Sequence, residues 1–154
     1  MPLSLNELNM DSSSPLSPSP AAEHRILTEL DEVRLRRLRE RQPLPEPLAS
    51  ALAKVLDESD VVPSRDIAPV VVTMLSRVRV RPLEGGPVRD ITLAYPADAH
   101  PEQGQLSVLS PVGLALLGWP VGHTVQWQTP DGREASWVIV SIDYQPEAAG
   151  HYTV

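Results

Sequence analysis

Cysteine and phenylalanine are both absent from this sequence of 154 residues. Without cysteine the chain has no disulfide, no thiolate metal ligand and no cysteine nucleophile. Three tryptophans and three tyrosines supply its large aromatic side chains, so we expect no aromatic-walled ligand pocket. No run of about 18 apolar residues occurs and no signal-peptide pattern opens the chain, so we predict no membrane contact and a cytoplasmic location.

Basic residues are also few, because 13 Lys and Arg stand against 20 Asp and Glu, giving a formal net charge of -7. Affinity for nucleic acid comes largely from neutralising phosphates and releasing counterions. We therefore expect no direct sequence-specific binding to nucleic acid, and a charged or basic protein suits this chain better as a partner.

Recognisable catalytic patterns are missing as well. The four histidines form no i, i+4 pair, which disfavours a metal site. No glycine-rich phosphate loop and no Ser-His-Asp constellation can be nominated. The sequence thus predicts no catalytic residue, no metal and no cofactor.

Three segments follow one another along the chain. Residues 1–21 are rich in serine and proline, which favours a disordered tail, although their few leucines and Met10 could form a short docking segment. Residues 22–62 fit an antiparallel helical hairpin, a short coiled coil. Its first helix is predicted from a weak capping pattern at Thr28 to about Arg41, and its second from Pro47 to about Asp60.

The periodicity changes from 3.6 to 2 after a linker at 63–69, and we predict a second domain over 63–154. Its first strand would alternate Val78 and Val80 with three arginines, and a long central strand would run from Ala135 to Tyr144. A short strand at 106–109 would lead to a brief helix begun by Ser110 and Pro111. The predicted fold is α+β, with a mainly antiparallel sheet of about five strands.

Several segments closely resemble the family of regulators of nucleoside diphosphate kinase, called Rnk, which are bacterial relatives of the Gre transcript-cleavage factors. The resemblance covers roughly residues 25–154, and the order of the segments makes it specific. The segments are VVVTMLSRVRVR at 70–81, LAYP at 93–96, LSVLSPVGLALLG at 106–118, VG at 121–122, TPDG at 129–132 and YQPEAAG at 144–150. EASW at 134–137 also resembles the equivalent strand of Gre factors.

The resemblance implies an FKBP-like C-terminal domain that docks on RNA polymerase at the rim of its secondary channel, with the hairpin pointing toward or into that channel. It assigns polymerase contacts to Ser110 and Pro111, with Leu109 as a neighbour. Rnk proteins are expected to occupy the Gre site as monomers without promoting transcript cleavage, and to influence nucleoside diphosphate kinase levels.

Two arginine-rich stretches have both ordinary and functional interpretations. Arg77, Arg79 and Arg81 would lie along one strand face, which either faces solvent or pairs with an acidic partner helix. The arginines between Arg34 and Arg41 would surround the first helix, where they are solvated or attract phosphates of nucleotides or RNA.

The predicted hairpin tip consists of Glu40, Pro43, Leu44, Pro45 and Glu46. Metal-assisted cleavage needs carboxylates within reach of one ion, at about 2 Å for Mg²⁺. Two prolines and a leucine separate the two glutamates, so we predict solvated carboxylates and a chemically inert tip. Gre-type transcript cleavage and FKBP-like prolyl isomerisation are the two alternative functions.

Overall fold

The computed structural model describes residues 24–41 and 43–152, so the serine- and proline-rich segment 1–21 lies outside the described residues. None of the helices in these two ranges is long and apolar enough to cross a membrane. The elements are β1 (Ile26–Thr28), α1 (Glu29–Arg41), α2 (Leu48–Glu58), β2 (Asp60–Val62), β3 (Arg77–Pro82), β4 (Arg89–Ala94), β5 (Gln105–Ser107), α3 (Pro111–Leu116), β6 (Thr124–Gln128) and β7 (Glu134–Tyr144).

The helical hairpin forms at its predicted place. The Thr28 hydroxyl accepts a hydrogen bond from the Asp31 backbone N–H at 3.0 Å, which satisfies one of the donors that a helix start leaves open. In α2, Leu52, Val55 and Leu56 are buried, as the apolar spacing predicts.

A short parallel pair of strands, β1 and β2, joins the two ends of the hairpin, with Ile26 opposite Asp60 and Thr28 opposite Val62. This pair shortens α2, which ends at Glu58 rather than near Asp60. Strands of three residues are too short to show an alternating pattern, so the sequence did not predict them.

The main sheet has five strands in the order β5-β4-β3-β7-β6. All neighbours are antiparallel except β4 and β5, which are parallel. The long β7 pairs with strands on both sides, as predicted for a strand apolar on both faces. The α+β fold is thus confirmed.

Strand β5 ends at Ser107, two residues earlier than predicted, because the chain turns there. The Ser107 carbonyl accepts the Ser110 backbone N–H at 3.0 Å. A Cβ added to Gly113 would stand 2.0 Å from that same carbonyl oxygen. The turn from β5 into α3 therefore requires glycine at position 113.

One hydrophobic core runs through hairpin and sheet. Leu27, Leu35 and Leu52 from the hairpin belong to the same buried cluster as Val78 and Ile139 from the sheet. The predicted boundary between residues 62 and 63 stays a prediction, but apolar burial is continuous across it. The hairpin therefore packs against the sheet domain.

A buried carboxylate joins α1 to the segment before β3. Asp31 is 3% exposed, and its Oδ2 accepts the Met74 backbone N–H at 3.0 Å. Burial raises the pKa of Asp31 to about 6, and the nearby Glu147 acts in the same direction, while the Met74 hydrogen bond and Arg34 oppose the rise. Ionised Asp31 thus costs stability at neutral pH.

We expect protonation of Asp31 to raise the free energy of unfolding by about 1 kcal/mol as the pH falls from 7 to 5. The folded-state pKa of about 6 lies above the ordinary value of 3.8, so over this range the folded state binds the proton more strongly. Asp31→Asn keeps an oxygen that can accept the Met74 N–H, but it removes the carboxyl group that titrates. Urea unfolding at both pH values measures this rise in the free energy of unfolding. The wild type and the control Asp57→Asn should both show it, whereas Asp31→Asn should not. Equal pH dependence in all three proteins would contradict the assignment.

Gly113→Ala should lower the free energy of unfolding by about 2 kcal/mol or more, because its methyl group would collide with the Ser107 backbone. Ser110→Ala, which removes only one cap, should cost about 1 kcal/mol. Chemical denaturation of both variants measures the difference. A Gly113→Ala protein as stable as the wild type would show that the chain does not approach itself this closely.

Candidate functional site

The loop from Leu109 to Pro111 joins β5 to α3. The Ser110 Oγ accepts the Gly113 backbone N–H at 3.1 Å and donates to the Ser107 carbonyl at 2.6 Å. Ser110 is therefore occupied as the N-cap of α3, whereas Pro111 in the first helical position is exposed. Leu109 is half-buried and packs against the hydrophobic core, so Pro111 is the most available residue of the loop.

A groove of about 980 Å³ lies beside this loop, between α2 on one side and α3 and β6 on the other. Leu48, Ala51 and Val55 present one face of α2 to it, in keeping with their spacing along the helix. The rest of the lining includes Leu109, Pro111, Leu114, Ala115, Trp119 and Trp127, with Pro45, Glu46 and Pro47 from the hairpin.

The tryptophans overturn one expectation from the sequence. Absence of phenylalanine predicted no aromatic-walled pocket, yet Trp119 and Trp127 both line the groove. Trp127 meets Trp137 edge to face at 4.7 Å between ring centroids, and Trp119 stacks on His123 at 4.0 Å. A few aromatic residues are enough to line this groove because the fold brings Trp119 and Trp127 to the same surface.

Arg25 lines the groove and contacts the C-terminal end of α3. Its Nη1 donates to the carbonyls of Leu114 at 2.5 Å and Leu117 at 2.8 Å, where α3 leaves its last acceptors open. Its guanidinium also lies 5.3 Å from the centre of the Trp119 ring. Burial lowers the pKa of Arg25 to about 10, so the side chain stays charged at neutral pH and ties the N-terminal strand to α3.

Of the five predicted tip residues, Pro45 and Glu46 line this groove. Glu46 Oε1 accepts the Ser50 hydroxyl at 2.6 Å, and Glu40 is exposed at the end of α1. Pro43 is also exposed, whereas Leu44 packs against the hydrophobic core. Within 24–41 and 43–152 no cluster of three or more His, Asp or Glu residues could hold a metal ion.

The arginine stripe lies where the alternation predicts. Arg77, Arg79 and Arg81 are exposed on β3 while Val78 and Val80 are buried. Arg79 forms ion pairs with Asp90 at 3.1 Å and Asp143 at 3.5 Å, both on neighbouring strands. The stripe is therefore partly neutralised by its own sheet, and it does not line the groove.

The YQPEAAG segment holds the chain that precedes β3, a role its sequence did not indicate. Gln145 is buried, and its Nε2 donates to the carbonyls of Ala68 and Val71, each at 2.8 Å. Glu147 accepts the Thr73 hydroxyl at 2.8 Å. Long-range side-chain contacts of this kind leave no local pattern in a sequence.

Comparisons with known proteins agree with this architecture. The family described as "Transcription elongation factor, GreA/GreB, C-term" matches residues 68–144, which contain β3 to β7. The solved structure of a prokaryotic transcription elongation factor GreA/GreB from Nitrosomonas europaea superposes with a TM-score of 0.66 at 36% identity, covering 79% of this chain and 98% of that chain.

Sequence relatives narrow the assignment. The regulator of nucleoside diphosphate kinase from Escherichia coli (strain K12) is 44% identical over 106 residues, which make up 69% of this chain and 78% of that protein. A transcription elongation factor GreA from Solidesulfovibrio magneticus is 33% identical over 106 residues, 69% of this chain and 64% of that protein. The resemblance seen in the sequence is confirmed: this chain is a transcription-associated, Gre-factor-like regulator, and it belongs to the family of regulators of nucleoside diphosphate kinase.

Proposed function

We propose that the protein binds RNA polymerase as a monomer in the cytoplasm, near the rim of the secondary channel, and competes with Gre-type factors for that place without cleaving RNA. Through this occupancy it would influence nucleoside diphosphate kinase levels. Membership in a family whose relatives include transcription elongation factors supports the partner.

The observation that carries the proposal is the shared groove. Leu109 and Pro111 belong to the loop from Leu109 to Pro111, which we call the docking loop. They line the same groove as Pro45 and Glu46 of the hairpin tip. A polymerase surface that contacts the loop would therefore also contact the hairpin tip. The same bound position would dock the protein and obstruct the channel entrance.

The dimensions of the hairpin favour obstruction over deep insertion. Helix α1 has 13 residues, which at about 1.5 Å per residue reach about 20 Å. The hairpin also packs along the sheet domain through Leu52 and Val55. A short arm held against the body can narrow a channel entrance, but it cannot carry carboxylates far inside.

The chemistry of the tip supports a role without catalysis. Of the two tip carboxylates, Glu46 is engaged by the Ser50 hydroxyl, while metal-assisted cleavage needs two acids available to one ion. Prolyl isomerisation would use the tryptophan-lined groove. Because the relatives are regulators and elongation factors, we favour a docking role for this groove.

The arginine stripe would add electrostatic steering rather than the main contact energy. Arg79 already pairs with Asp90 and Asp143, so Arg77 and Arg81 are the residues of the stripe better placed to meet an acidic partner helix. Exposed charges of this kind act mainly on the association rate and are screened by salt.

The docking loop can be tested with Pro111→Glu. An acidic residue is tolerated in the first turn of a helix, so the fold should persist while the exposed apolar contact is lost. We expect affinity for core RNA polymerase, measured by fluorescence anisotropy of labelled protein, to fall about tenfold or more.

Pro87→Glu is the matched control, because it introduces the same charge at the other end of the sheet. Pro87 precedes the start of β4, whereas the far end of β4 pairs at Ala94 with Ser107, close to the docking loop. The control should bind like the wild type. Unchanged binding of Pro111→Glu would remove the proposed contact, and a wild-type protein that ignores polymerase would end the proposal.

A further inference from the structure

A second cavity, of about 580 Å³, lies between α1 and the segment that follows β4. Its volume falls in the range of small-molecule sites, which run from about 300 to 1,000 Å³. Its lining includes three arginines of α1, namely Arg34, Arg37 and Arg41, together with Leu75, Tyr95 and Asp98. It is separate from the tryptophan-lined groove, whose lining residues are all different.

The three arginines concentrate positive charge in a chain whose net charge is -7. They are spaced i, i+3 and i+7, which places them on one side of the helix. Arg37 and Arg41 are exposed and form no ion pair with any described residue. Among the described residues, Asp98 is the single carboxylate that lines the cavity, while Asp31 and Glu147 act electrostatically on Tyr95 from outside the lining. Arg37 and Arg41 therefore carry the positive charge that a ligand would meet.

Tyr95 positions one of these cations and supplies an apolar wall. The Arg34 Nη1 donates to the Tyr95 hydroxyl oxygen at 3.3 Å, and the guanidinium lies 5.6 Å from the ring centre. Burial raises the pKa of Tyr95 to about 12. The phenol is therefore neutral at physiological pH and adds no negative charge to the cavity.

A strained backbone forms another part of the wall. Leu75 has a φ of 69° and is the one described residue other than glycine with a positive φ. Its N–H donates to the Leu93 carbonyl at 2.8 Å, and the preceding Met74 N–H is held by Asp31. Such strain costs about 1 to 3 kcal/mol and tends to occur at functional sites. Here it places the Leu75 side chain beside the arginines.

We propose that this cavity binds a small ligand with a chain of linked phosphates, of the nucleoside polyphosphate class. A guanidinium group offers paired donors that match phosphate oxygens, and Arg37 and Arg41, one helical turn apart, suit linked phosphates better than a single anion. The side chains of Leu75 and Tyr95 would contact the apolar face of an attached ring. This site is independent of polymerase docking.

Isothermal titration of the full chain in magnesium-free, low-salt buffer tests the proposal with two probes, inorganic tripolyphosphate and ATP. We expect one ligand per chain with either probe, and weaker binding as salt is added. Equal affinities would indicate recognition of the phosphates alone, whereas tighter binding of ATP would show that the ring also makes contact. Both results support a polyphosphate site.

Three substitutions locate the binding. Arg37→Gln and Arg41→Gln should each weaken ATP binding about tenfold, and Asp98→Asn should strengthen it by removing a repulsive charge. Arg39→Gln removes the same charge from the same helix at a position that does not line the cavity, and it should change affinity less than twofold.

Specific results would overturn the site. These are no heat of binding with either probe at millimolar concentration, or an equal loss of affinity in Arg39→Gln, which would indicate diffuse charge attraction. Tighter binding of a polyglutamate peptide than of ATP or tripolyphosphate would assign the arginines to an acidic protein segment instead.

Discussion

The attachment of the helical hairpin to the sheet domain is the constraint on which the rest of the structure depends. Two charged side chains fix its position: the buried Asp31 accepts the Met74 N–H, and the partly buried Arg25 donates to the carbonyls of Leu114 and Leu117. Buried charges are costly unless hydrogen-bonded, so these contacts specify one position for the hairpin. The continuous apolar core supplies the bulk of the attraction.

This attachment determines what the molecule can do. The same Arg25 that closes the end of α3 also bounds the tryptophan-lined groove, while the hairpin tip lies at the groove beside Pro111. A partner that contacts the docking loop would therefore meet the hairpin in a defined position, which lowers the ordering cost of binding. This geometry favours a hairpin that obstructs the channel entrance over one that inserts catalytic carboxylates into the channel.

Local patterns predicted those parts of the fold whose causes are local. Thr28 and Ser110 begin helices because their hydroxyls satisfy backbone donors, and Val78 alternates with arginines because one sheet face is buried. The contact from Asp31 to Met74 joins residues 43 positions apart, and β1 and β2 are too short to show a period. The groove was unforeseen because Trp119 and Trp127 come together only when α3 packs on β6.

Competition on a halted transcription complex tests the central claim most directly. The complex would be backtracked, supplied with a Gre-type cleavage factor, and titrated with this protein while RNA shortening is followed on a gel. We expect cleavage to fall as the protein is added, the protein alone to shorten no RNA, and Pro111→Glu to compete poorly. Cleavage unaffected at saturating protein, or RNA shortened by the protein itself, would contradict that claim.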